Sequence, residues 1–94
     1  MGINRDNKVA FMTCVEVVLM RMSNINYNDV VCKLEVLYQC TILDCYDYPE
    51  RLKVVLKKVY KNNYETVLEE IETEMEVLVD VDLQRENFLR FMRS

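Results

Sequence analysis

A chain of 94 residues hides only about two-thirds of the surface it would expose unfolded, yet 51% of its residues are apolar, so apolar side chains are left over for other contacts. Twelve basic against sixteen acidic residues give a net charge of −4, which excludes a global positive field for nucleic acid. The absence of histidine removes the commonest general base and metal ligand, and one Gly with one Pro are too few for a β-sandwich or barrel.

The composition therefore predicts a single all-α domain over residues 1–94, a compact bundle of four to five helices. Residues 1–6 are polar and expected to fray. Asp6 or Asn7 can cap a first helix in which Phe11, Val15, Val18 and Met22 recur at helical spacing. After a connection at residues 23–28, Asn26 or Asn28 is placed to cap a second helix, expected over about residues 29–46. Wound at about 100° per residue, this helix carries Val31, Leu34, Tyr38 and Ile42 on one flank and Val36, Cys40 and Leu43 on another. Lys33, Glu35, Gln39 and Asp44 form no coherent polar face, and a helix without one is a buried helix. The pattern thus predicts a central helix surrounded by the others.

Asp47-Tyr48-Pro49-Glu50 reads as a fresh start, with a cap, a first-turn proline and a carboxylate near the positive end of the dipole. The third helix, 50–61, is one-sided: Leu52, Val55, Leu56, Val59 and Tyr60 share a stripe, while Arg51, Lys53, Lys57, Lys58 and Lys61 lie elsewhere. Asn62-Asn63 breaks it. The fourth helix follows with Val67, Leu68, Ile71, Met75 and Leu78 inward, and Glu65, Glu69, Glu70, Glu72 and Glu76 outward. The third and fourth helices are expected to pack as an antiparallel hairpin, with Lys57, Lys58 or Lys61 near Glu65, Glu69 or Glu72. From Met75 to Leu83 apolar residues alternate as in a strand, but a lone strand has no partner, so helix is preferred. One helix through residue 93 and a restart at Asp80 or Asp82 are both open.

The spacing of Cys14, Cys32, Cys40 and Cys45 contains no C-x2-C hook for zinc, and all four lie in apolar helical runs, so reduced core thiols are expected. On one helix Cys40 and Cys45 would diverge by roughly 140°. Glu65, Glu69, Glu72 and Glu76 have the spacing of dimetal bundle sites, but those also need Glu-x-x-His. With no phosphate-cradling Gly-rich loop either, no enzyme activity, cofactor or metal is expected. No apolar run reaches the roughly 18 residues of a membrane span, and no signal-peptide pattern opens the chain, so the expected location is the cytoplasm.

These features point to a non-catalytic protein–protein interaction module, a small regulator or inhibitor. The acidic face left over on the fourth helix, Glu70, Glu74 and Asp80, is the expected docking surface for a basic protein partner. The apolar surplus predicts a homodimer through the first or second helix, with Leu37 and Leu43 as self-association residues. An alternative is a helical nucleic-acid-binding regulator using the basic helix 50–61. Against it, no basic residue and eight acidic ones fall between Lys61 and Arg85, enough to neutralise that helix within the molecule. In length, and in a short helix hairpin near its end, the chain also resembles six-helix adaptor domains of the death-fold type, which would imply an adaptor. Its frequent Asn, Ile, Tyr and Lys resemble the coding bias of AT-rich genomes, as many phages and viruses have, and would suit an inhibitor of a host complex.

Overall fold

Apolar residues at helical spacing carry nearly the whole chain into α-helix. The computed structural model describes residues 2–78 and 81–94, with side chains from Lys8 onward. Among the described residues five α-helices follow in order: α1 (Gly2–Met22), α2 (Asn24–Tyr38), α3 (Pro49–Tyr60), α4 (Tyr64–Met75) and α5 (Asp82–Arg93). Short 3-10 turns occupy Leu43–Tyr46 and Lys61–Asn63, and no strand occurs among the described residues. The architecture is the all-α bundle that the composition predicts. Helix α1 is already formed at Gly2, where a frayed segment was expected.

The middle of the bundle belongs to α1. Phe11, Met12, Val15, Val18 and Leu19 are all buried, and α1 packs against α2, α4 and the Leu43–Tyr46 turn. Helix α3 lies between α2 and α5, and α5 closes the bundle over α3 and α4. Each fully buried Val, Leu or Phe is worth about 1.5–3 kcal/mol relative to an exposed one, so the single cluster formed by these helices is what holds them together.

The helix expected over 29–46 is corrected by the structure. Ser23, not Asn26 or Asn28, caps α2, its hydroxyl accepting from the Asn26 N–H at 3.2 Å. The helix then stops at Tyr38, because Gln39 turns left-handed (φ 55°, ψ 44°) and its N–H closes the end on the Glu35 carbonyl at 3.0 Å. Thr41 and Asp44 start the next turn reciprocally: the Thr41 N–H donates to the Asp44 carboxylate (2.9 Å) and the Asp44 N–H to the Thr41 hydroxyl (3.3 Å). The break re-aims everything after it. Cys40, Ile42 and Cys45 go into the core, while α2 buries only Val30 and Leu34 and leaves Cys32, Glu35, Val36 and Leu37 exposed. This helix has a wet side, and that side is apolar.

Helix α3 is one-sided as expected, burying Leu52, Val55, Leu56 and Tyr60. Its cap position is Tyr48, while Asp47 pairs instead with Lys8 of α1. Helix α4 buries Val67, Leu68, Ile71 and Met75, but packs mainly on α1. Its carboxylates follow that placement. Glu70 and Glu74 meet Arg21 of α1 at 3.5 and 2.9 Å, and Glu65 and Glu72 meet Arg93 of α5 at 2.7 and 3.4 Å. The expected pairs between Lys57, Lys58 or Lys61 and Glu65, Glu69 or Glu72 do not form among the described residues; Lys57 sits over the Tyr64 ring instead.

Helix α4 ends at Met75 and α5 restarts at Asp82, so residues 64–93 form two helices. The C-terminal end of α5 is satisfied from outside: Lys53 Nζ donates to the Phe91 and Ser94 carbonyls (3.1 and 2.6 Å), and the Tyr64 hydroxyl to the Met92 carbonyl (2.6 Å). Tyr60 differs, since its buried hydroxyl has no partner among the described residues. Tyr64→Phe is therefore expected to cost about 1 kcal/mol, whereas Tyr60→Phe should be neutral or stabilising. Urea titration of both variants checks this; equal losses would contradict the hydrogen-bond assignment. No helix among the described residues is long and apolar enough to cross a membrane.

Candidate functional site

The residues expected to make contacts are not gathered at one place. Glu70 and Glu74 are brought together, but on Arg21, which draws both into an intramolecular pair and whose own pKa is raised by the hydrogen bond it donates to Glu74. Asp80 lies outside the described residues. Leu37 is exposed on α2, whereas Leu43 is half-buried against the core, lining a different surface.

The cysteines also differ from expectation. Cys14, Cys40 and Cys45 are buried, but Cys32 is exposed on α2. Cys40 and Cys45 do not diverge. The break at Gln39 folds them toward one another, so burial first and then the neighbouring Cys40 thiol raise the Cys45 pKa. The Cys45 thiol also donates to the Thr41 carbonyl at 3.5 Å.

The same break opens a cleft of about 560 Å³ between α1, α2 and residues 39–44. Glu16 reaches it from α1, Glu35 from α2 and Asp44 from the turn, around walls that include Val31, Ile42 and Leu43. Among the described residues no Lys or Arg lines it. Each element places its carboxylate for a local reason. The Tyr27 hydroxyl donates to Glu16 at 3.0 Å, and burial followed by that hydrogen bond raises the tyrosine's own pKa. The Thr41 N–H and hydroxyl hold the Asp44 carboxyl below the usual range, keeping it anionic. Glu35 stands exposed on the flank of α2. Chemically the cleft offers anionic acceptors over an apolar floor, which suits a cationic side chain with an aliphatic stem.

The basic helix 50–61 is largely occupied. Arg51 stacks on Tyr48 and Tyr38, at 4.2 and 5.6 Å from the ring centres. Lys53 holds the end of α5, and Lys57 covers Tyr64. Lys58 and Lys61 are the cations of this helix that stay exposed without an ion pair or ring partner among the described residues. Sequence reasoning missed the cleft because it treated residues 39–44 as helix. The signal was present in Thr41-Ile42-Leu43-Asp44, a Thr three residues before an acidic side chain, which is a helix-start signature.

Comparison of the chain with protein-family models, with curated proteins and with solved structures finds no match.

Proposed function

We propose that this protein is a non-catalytic interaction module, a small regulator or inhibitor that takes a basic segment of a partner protein into the cleft beside α2. The observation that supports this most is the lining itself, three carboxylates beside apolar walls, with no Lys or Arg among the described residues that line it. A net charge of −4 adds a long-range field of the same sign, which accelerates encounter with a basic partner. The acidic docking surface is thereby assigned to Glu16, Glu35 and Asp44. Glu70 and Glu74 already share an intramolecular cation, Arg21, at 3.5 and 2.9 Å.

The test is isolation of the partner on immobilised wild-type protein, followed by titration of the purified pair at two salt concentrations. Binding should weaken as salt rises, and Glu35→Lys should weaken it roughly tenfold through one lost attraction and one new repulsion. Glu35 is exposed, so the variant should fold normally. If Glu35→Lys leaves binding unchanged while Lys58→Ala with Lys61→Ala abolishes it, the basic helix is the surface and nucleic acid becomes the ligand to examine.

A further inference from the structure

The outward side of α2 is a separate surface from the cleft. Among the described residues α2 packs only on α1 and α3, so the side opposite Val30 and Leu34 is covered by no other helix. That side carries Ile25 (82% exposed) and Val36 (72%), with exposed Cys32 between them. At about 100° per residue, Cys32 and Val36 point within roughly 20° of Ile25, so the three form one stripe. Beside it, on a single flank, Asp29 and Lys33 form an ion pair at 2.6 Å.

We infer that this stripe docks on the same stripe of a second copy, the two α2 helices running antiparallel about a two-fold axis at the level of Val31. The charge pattern selects this occupant and this direction. In an antiparallel two-fold pair, each flank of a helix meets the same flank of its partner. Asp29 and Lys33 are equally far from Val31, on one flank, so each Asp29 comes level with the partner's Lys33, and each Lys33 with the partner's Asp29. Ile25 comes within one residue's rise of the partner's Val36, covering the most exposed apolar side chain with another. Cys32 lies one residue from the axis on the seam, so the two copies of this thiol are neighbours.

This arrangement is tested on the full chain. Wild type should be a dimer by light scattering at high micromolar concentration, and Ile25→Lys or Val36→Lys should be monomeric with unchanged helix content, since both sites are exposed. Asp29→Lys alone and Lys33→Asp alone should each weaken the dimer about tenfold, because like charges then face each other. The double exchange, Asp29→Lys with Lys33→Asp, should restore it. A short bismaleimide should link wild-type copies through Cys32 and fail on Cys32→Ser. A wild-type monomer overturns the inference, as does a dimer that ignores the charge exchange or that cross-links equally without Cys32. None of these outcomes touches the cleft, whose binding is read from Glu35.

Discussion

Phe11→Ala is expected to remove about 3–5 kcal/mol of folding stability. The Phe11 ring is buried and stands edge-on to two others, Tyr46 at 5.6 Å and Phe88 at 5.4 Å, both with an interplanar angle of 87°. It joins α1 to the Leu43–Tyr46 turn and to α5, so its removal loosens three elements at once. A domain of this size has a total stability of about 5–15 kcal/mol. Each lost kcal/mol lowers the melting temperature by about 4–8 °C at this chain length, so a fall on the order of 20 °C should follow. Leu37→Ala, at a half-exposed position outside the stripe of Ile25, Cys32 and Val36, should stay within about 0.5 kcal/mol. Urea titration of both variants is the measurement, and a loss below about 1 kcal/mol for Phe11→Ala would show that the ring is not at the centre of the core.

Alkali should unfold this protein in a defined window. Burial, then the Cys40 thiol, holds the Cys45 thiol well above its ordinary value of 9.0. Burial and then the Glu65 carboxylate push the Tyr64 hydroxyl from 10.0 up to about 12. In both groups the folded protein keeps a proton that the unfolded chain would already have lost. The unfolded state therefore binds fewer protons in this range, and stability falls as pH rises. The contribution of these groups is fully present below about pH 9, declines first through Cys45 and then through Tyr64, and is gone once the pH has passed both folded values. Tyr64→Phe should flatten the upper part of the decline and leave the lower part. Urea midpoints that stay level from about pH 8 to pH 11 would show that neither proton is retained.

The parts of the fold legible in the sequence are those in which local pattern and tertiary packing agree. Helix α3 is one: its buried stripe can be read at i, i+3 and i+4, and Pro49 marks its start. The inner face of α4 is another. Helix α2 was misread because the residue that ends it is Gln39, where a glycine would have announced the left-handed turn. With the break unseen, the pattern pairs Leu37 with Leu43 for self-association, yet Leu43 packs against the core while Leu37 is half exposed. The ion pairs were illegible for a different reason. Arg21 lies about fifty residues before its partners Glu70 and Glu74, and nearness along the chain favoured the lysines of α3. The cleft exists only because α2 stops, so its three carboxylates, from three elements, carry no shared spacing that a sequence could display.

The dependence of α1 on α4 also has a consequence during synthesis. The buried side of α1 is complete once Met22 is made, but the helix that covers much of it ends at Met75. Ribosomes add about 5–20 residues per second, so the intervening stretch takes on the order of several seconds. Throughout that interval Phe11, Met12, Val15, Val18 and Leu19 lack their α4 neighbours, and α5, which supplies Phe88 against Phe11, comes later still. A nascent chain of this protein is thus a transient client for whatever binds exposed apolar helices in the cell, and it leaves that state only when its last helix has been delivered.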